Sequence, residues 1–453
     1  MSNFRPINRD TGFLLPPSVD EWLPQRHLAR FVVEVIDGLD LSELVKAYRG
    51  SGSASYHPAM LLGLLVYGYA TGVFSSRAIE RATYDSVAFR FLAGNEHPDH
   101  DTIAAFRKRF LKQIESLFTQ VLQLARTMGM LQLGTVAIDG TKLHAHASRH
   151  SALSYGHAKK LEKQLRKEVQ QLLRLAERAD AADIPDGMSI PEELERRELR
   201  LAAIAEAKAK IEARAQERLA QEQVEHQAKL AARAEQEKRT GKKPGGRPPA
   251  PPTGGVKDSD QINLTDEQSR IMRVAGNGFE QCYNAQAAVA TGSLLVVANF
   301  VTQAGNDKQQ LVPMIEQLQA LPPELGRVQH AVADNGYFSQ ANVEHCAAAR
   351  IEPLIAMGRE QHHAGWKQRF AAAPKAPPPS ATPLQRMAYR LKTPQGRTLY
   401  ALRKQTPEPV FGIIKSVMGY RQTLLRGLKN VYGEWNLVTL SWNIKRMFAL
   451  QAI

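Results

Sequence analysis

Cysteine is nearly absent: the 453-residue chain holds two, Cys282 and Cys346. A disulfide framework is therefore excluded, and a reduced, cytoplasmic compartment is expected. Long apolar runs are missing too. The most apolar stretch, residues 59–74 (AMLLGLLVYGYATGVF), carries three glycines and falls short of the ~20 residues a membrane span needs. It predicts a buried helix and no membrane partner. The first ten residues, MSNFRPINRD, have no apolar h-region, so no signal peptide is expected. Acids are in deficit, 45 Asp and Glu against 59 Lys and Arg, a net charge of +14. Such an excess suits a polyanion, nucleic acid before membrane surface. With 43% hydrophobic and 23% charged residues, the chain can pack a core and is not globally disordered. Its length sets an expectation of about three domains.

Residues 1–130 read as helical, with apolar residues at helical spacing in LARFVVEVIDGL, PAMLLGLLVYGYATG and DTIAAFRKRFLKQIESLFTQVLQLARTMG. Pro58 suits a first helical turn, and Asp101 or Thr102 suits a helix cap. At Thr135 the period changes: TVAIDGTKLHAHA is a strand with Asp139 near its middle. From His157 to Thr240 the chain turns rich in Ala, Glu, Lys, Arg, Gln and Leu, the composition of long helices. IPDGMSIP (184–191) breaks it into two arms, which predicts an antiparallel helical hairpin. The stripe of the second arm is interrupted by Arg197 and Lys208. A Pro/Gly-rich stretch at 241–255 reads as a flexible linker. Beyond it, 279–290 and 293–303 read as a hairpin about a Thr-Gly turn, 307–321 as a helix, 330–338 as a strand ending in a turn, 339–350 as a helix capped by Ser339, 351–357 as a strand and 406–453 as helices.

With the helical insert set aside, the order is strand, strand, strand, helix, strand, helix, strand, then helices. That is the order of a ribonuclease-H-like α/β fold: a mixed five-stranded sheet with flanking helices. The expected organisation is an all-α N-terminal DNA-binding domain over 1–130, a catalytic domain over 131–156 and 256–453, a coiled-coil-like insertion over 157–240 and the linker over 241–255.

A carboxylate in an apolar core strand is costly unless something compensates it, and a metal would. Phosphodiester chemistry needs such a site, because two Mg²⁺ ions supply both a strong nucleophile and charge neutralisation, and Mg²⁺ takes hard oxygen ligands. In this fold order Asp139 in the first strand and Asp334 at the end of the fourth would be neighbours. Glu408, after Pro407 at a helix start, could complete a triangle. Singly, each has a plain structural reading: Asp139-Gly140 and Asp334-Asn335-Gly336 as turns, Glu408 as a helix-start carboxylate. Jointly and in fold order they read as a site. His144 and His146 at i, i+2, with His150, have metal-like spacing, but no nearby Cys completes a zinc set. Trp435 and Trp442 read as core. Between Arg403 and Arg446 stand eight Lys and Arg against two acids, a block suited to a DNA backbone.

These segments carry a resemblance. PDHDTIAAFRKRF (98–110), AIDGTKLHAHAS (137–148), QINLTDEQSRIM (261–272), GFEQCYNAQAAV (278–289), ADNGYFS (333–339) and the block 400–447 together resemble DDE transposases of bacterial insertion sequences, in the group with an InsH-like helical N-terminal domain. The resemblance covers nearly the whole chain. It implies metal coordination by Asp139, Asp334 and Glu408, two Mg²⁺ ions with Mn²⁺ as a substitute, and DNA contact from Tyr400, Arg403, Lys415, Arg421 and Arg426. Tyr400, Arg403, Glu408 and Lys415 follow the related Tyr–Arg–Glu–Lys signature, with one residue more between Arg403 and Glu408. The implied function is binding of an element's terminal inverted repeats, cleavage and strand transfer to target DNA, by a homodimer or higher oligomer. A non-catalytic DNA-binding relative is the alternative; a Mg²⁺-dependent cleavage assay separates the two.

Overall fold

The computed structural model describes residues 18–48, 55–178, 189–241, 243, 245–274, 276, 278–358 and 375–451. It divides into two compact units, one drawn from residues 1–146 and 272–453, the other from 147–271. The breaker at 184–188 and residues 359–374 lie outside the described residues.

The first unit opens with α1 (Val19–Trp22), α2 (Leu28–Asp37), α3 (Ser42–Lys46), α4 (Pro58–Thr71), α5 (Ser76–Asp85), α6 (Val87–Leu92), α7 (His100–Phe110) and α8 (Gln113–Thr127). Apolar residues occupy every side of α4, and Leu61, Leu62, Leu64, Leu65, Val66 and Tyr69 are all buried, so it is a core helix. Among the described residues no single helix is long and apolar enough to cross a membrane. The cap of α7 is Asp99, whose carboxylate accepts from Thr102 N at 2.8 Å. Asp101 and Thr102, the expected caps, lie inside the first turn.

The sheet follows, with β1 (Thr135–His144), β4 (Arg270–Arg273), β5 (Phe279–Ala290), β6 (Val296–Thr302), β7 (His330–Ala333) and β8 (Glu352–Ile355). Its order is β4-β5-β1-β7-β8, with β6 also pairing β5. β1, β7 and β8 run parallel, while β5 is antiparallel to β1 and β6 antiparallel to β5. Six strands form where the sequence predicts five. β4 is four residues long, too short to show an alternation of its own. The strand expected to end in a turn within 330–338 runs from His330 to Ala333, and Asp334 caps the turn, a short 3₁₀ helix over Asn335–Tyr337.

Helices α11 (Leu311–Gln319), α12 (Gln340–Ala348), α13 (Pro383–Arg390), α14 (Pro394–Gln405), α15 (Pro407–Ser416) and α16 (Leu428–Leu450) complete the unit. α16 is the shared core element: it packs on β6 and on α2, α4 and α8. Trp435 and Trp442 are buried, as expected; their Nε1 groups donate to Gln286 O at 3.2 Å and Leu294 O at 2.9 Å. Buried Glu434 accepts from Tyr69 Oη at 2.9 Å and from Leu424 N and Leu425 N. Arg107 in turn holds Tyr69 Oη. A buried carboxylate is tolerable only when satisfied in this way. These bonds tie the N-terminal helices to the chain's last helix.

The second unit contains β2 (Ala152–Ser154), α9 (Tyr155–Arg178), α10 (Ile190–Thr240) and β3 (Gln261–Asn263). β2 and β3 pair antiparallel, Ser154 opposite Gln261, and close the neck of the hairpin. Leu153, Ala158, Leu165, Ile204, Ala207, Ile211 and Ile262 form its core. The two charges that interrupt the stripe are neutralised: Arg197 by Glu168 and Glu193, Lys208 by Glu162 at 2.7 Å. The stretch read as a flexible linker instead lies along α10. His226 Nε2 lies 3.1 Å from Pro249 O, Arg233 Nη2 donates to Gly246 O at 3.1 Å, and Gly254 packs on Leu219. Proline-rich chain suits this, being extended and already short of conformational entropy before it docks.

Candidate active site

Asp139 stands in β1 next to the open end of β7. Pairing between the two strands runs from Thr135↔His330 to Ile138↔Ala333 and stops there, so Asp139 and Asp334 are the next residue on each strand. Asp139 accepts from Gly140 N at 2.8 Å, and Asp334 accepts from Gly336 N at 2.8 Å, capping the turn that follows β7. Burial pushes the Asp139 carboxyl up to about 7; Asp334 and Asp307 add repulsion, while the Gly140 N–H and Arg403 oppose the rise. Asp334, Asp307 and Arg403 are thus the charged side chains within electrostatic reach of Asp139.

Glu408, in the first turn of α15, is half exposed and joins the group through Arg403, whose Nη1 lies 3.7 Å from its Oε1. Arg403 itself is mostly buried, with its Nε lacking a hydrogen-bond partner. Among the described residues no three His, Cys, Asp or Glu side chains stand together as a ligand set. Tyr400, on α14, packs against Ala137, Val332 and Leu354 of the sheet. It also lines, with Arg397, Arg403 and Lys404, a cleft of about 590 Å³.

Three expected DNA contacts have backbone partners. Lys415 Nζ donates to Lys142 O at 2.8 Å, Arg421 Nε to Lys415 O at 3.0 Å and Arg426 Nε to His146 O at 3.0 Å. Lys415 is half-buried, and desolvation draws its ammonium below the usual range. It braces α15 on β1. Beyond it, His144 pairs with Gln422, extending the edge of β1. His144 and His146 lend main-chain groups to this edge.

The residues not anticipated are Asp307, Asn284, Gln286, Lys142 and Tyr337. Asp307 lies in the loop after β6, and its Oδ1 accepts from Asn284 Nδ2 and Gln286 Nε2, both at 2.7 Å. Tyr337 Oη donates to Gln286 Oε1. Burial, with Asp307, Asp139 and Asp334 around it, holds the Tyr337 phenol well above its usual range, so it stays a donor. Lys142 Nζ lies 4.0 Å from Asp307 and has no hydrogen-bond partner, although the atom is buried. One signal was available in the sequence: Asn284 and Gln286 are polar residues two apart in the alanine-rich half of the strand, hence on one face of it. Both are fully buried.

Gly140 is required by this group rather than by a turn. A Cβ there would meet Gln286 Nε2 at 2.2 Å and Asp307 Oδ1 at 2.8 Å. Gly140→Ala is expected to cost about 1–3 kcal/mol, the usual range for overpacking, read as a fall in the urea midpoint at unchanged m-value. An unchanged midpoint would mean that the group yields freely.

The Asp139 carboxyl makes stability depend on pH. Its folded-state value of about 7 lies above the ordinary 3.8, so the folded protein holds this proton more tightly than the unfolded chain. The metal-free fold therefore loses stability as pH rises from about 4 to about 7. Asp139→Asn should raise the Tm in EDTA at pH 8 and leave it near wild type at pH 4. Equal effects at both pH values would contradict the assignment.

Residues 249–444 match the family model described as a transposase DDE domain, and residues 17–109 the one described as a transposase domain (DUF772). Asp307, Asp334 and Glu408 fall inside the first match; Asp139 precedes it. No curated protein and no solved structure matches the chain. The mixed sheet, its covering helices and these two matches define a transposase. The chain belongs to the DDE transposases.

Proposed function

We propose that this transposase binds the terminal repeats of its element and cleaves and joins DNA at the acidic group on β1 and β7. The observation that carries the reading is the parallel pairing of β1 with β7, which ends one residue before Asp139 and Asp334. The core order β6-β5-β1-β7-β8, in which β5 alone runs against the other four strands, supports a ribonuclease-H-like catalytic domain over 131–156 and 256–453. In this reading 1–130 forms the DNA-binding domain and 157–240 the insertion.

The donor chemistry fits Mg²⁺. Asp139, Asp334 and Glu408 offer hard oxygens, and the charge on Asp139 is poorly compensated by the protein alone. Bound there, Mg²⁺ would supply charge neutralisation at the phosphorus and a nucleophile at neutral pH. Asp139 and Asp334 would hold the cation where the β1–β7 ladder ends. Glu408 would be the third ligand, and Arg403, its partner in the structure, would be free to contact a phosphate oxygen. Tyr400 lines the adjoining cleft, where DNA would lie. Arg421 and Arg426 keep guanidinium nitrogens beyond those donated to the backbone, and these would face the phosphates. Two copies would act on paired ends.

The test is single-turnover cleavage of end DNA by the full chain, with and without Mg²⁺. Mg²⁺-dependent strand cleavage supports the reading. End binding with no cleavage in Mg²⁺ or Mn²⁺ would leave a non-catalytic DNA-binding protein.

A further inference from the structure

The β1–β7 ladder stops one residue short of the two aspartates, while β5 still pairs Asp139 with Ala287. β1 and β7 last pair at Ile138 and Ala333, so no ladder bond between these strands sets the spacing of Asp139 and Asp334. A buried side-chain brace spans that gap. Gln286 sits directly opposite Gly140 on β5, and every polar atom of its side chain is used. Its Oε1 accepts from Tyr337 Oη, and its Nε2 donates to Asp307 Oδ1 at 2.7 Å and to Asn284 Oδ1 at 3.1 Å. Tyr337 is three residues past Asp334, at the end of the turn that Asp334 caps. The brace thus grips that turn from β5, passing β1 at the one position where no side chain intrudes. A second tie runs beside it: Asn342 Nδ2 of α12 donates to Tyr337 O at 2.7 Å and to Lys308 O at 2.8 Å. Tyr337, Gln286 and Asn284 are fully buried, and a fully satisfied buried network is rigid.

We propose that Gln286 and Tyr337 are positioning residues, which set the separation of Asp139 and Asp334 so that the pair fits a small divalent cation. The proposal rests on the reading of those aspartates as cation ligands. Mg²⁺ demands near-ideal octahedral geometry, whereas Ca²⁺ accepts flexible coordination. A loosened brace should therefore penalise Mg²⁺ more than Ca²⁺, an outcome that simple destabilisation does not give.

The experiment is calorimetric titration of the full chain with Mg²⁺ alone and Ca²⁺ alone, with a Tm for each variant. Tyr337→Phe removes one hydroxyl and keeps the ring. It should weaken Mg²⁺ binding by about tenfold or more, as loss of a supporting hydrogen bond does at metal sites, with a smaller loss for Ca²⁺. Asn342→Ala, which cuts the second tie, should shift the ratio the same way. Tyr432→Phe removes a phenol bonded to Glu115 at 2.9 Å and should leave the ratio at wild type. A ratio unchanged in Tyr337→Phe and Asn342→Ala, or equal losses for both ions, would overturn the proposal and leave the brace as core packing. Asp139→Asn separates the two levels. If it abolishes Mg²⁺ binding while the brace variants keep the wild-type ratio, only the brace fails. If it too binds as wild type, the cation-site reading fails and the brace proposal falls with it.

Discussion

Asp139→Asn, Asp334→Asn and Glu408→Gln should each lower cleavage of end DNA by about 10³-fold or more, while end binding stays near wild type. Each change keeps the shape of the side chain and removes its charge. If the carboxylates hold the cation that neutralises the phosphorus, losing one forfeits several kcal/mol of transition-state stabilisation, and about 4 kcal/mol corresponds to 10³ in rate. In the proposed reading binding rests on other residues, the cations of 403–446 and of the N-terminal helices. The two aspartates should behave alike, because each follows the last paired residues of the β1–β7 ladder, Ile138 and Ala333. Glu408 is the sharper test: it is half exposed and ion-paired to Arg403, so its part requires the pair to open. Single-turnover cleavage and a gel-shift titration on the same end duplex read both quantities. Glu408→Gln cleaving at wild-type rate would remove it from the site. Simultaneous loss of binding and cleavage in Asp139→Asn would point to a folding defect, which the stability gain expected at pH 8 makes easy to recognise.

How far the sequence could be read follows from what each signal depends on. Core strands and the long helices were legible because their periodicity is local: AVIL-rich β1 and the Ala/Glu/Lys/Arg arms announce themselves. The pairing of Asp139 with Asp334 followed from element order. β4 was not legible, being four residues long. Nor was the docking of 245–255 on α10, since a Pro/Gly stretch has the same composition whether free or bound; the partner, including His226 and Leu219, lies about 30 residues upstream. The committed donors of Lys415, Arg421 and Arg426 show a related limit. A basic block is visible as charge, but whether a given cation faces solvent or a main-chain carbonyl is decided by tertiary packing. Asp139-Gly140 illustrates it best: the run around it reads as a strand and is one, but only tertiary packing shows why glycine stands there, because Gln286 and Asp307 occupy the space of a side chain.

Replacing residues 152–263 with a short Gly/Ser linker is expected to leave the first unit folded and to abolish assembly on paired ends. The cut is possible because the chain returns to its starting point: Leu264 N donates to Ser151 O at 2.9 Å, just outside the β2–β3 ladder. Cutting there also takes away the hairpin core whole, because Leu153 and Ile262 leave with Leu165, Ile204 and Ile211. No apolar surface of that core is stranded on what remains. The role in assembly follows from length and surface. At 1.5 Å per residue α10 would span roughly 77 Å and α9 roughly 36 Å, so α9 can accompany only part of its partner. The proline-rich return covers some of the rest, yet Leu199 and Val224 of α10 stay 66% and 68% exposed. A helical arm with a partly covered apolar stripe is suited to a second subunit or to DNA-bound assembly, and its own core holds no residue of the sheet. Light scattering on paired-end complexes and the Tm of the shortened protein test the two halves separately. An unfolded product would place the hairpin in the core of the catalytic fold. Transposition at the wild-type level would make it dispensable and end its proposed role in assembly.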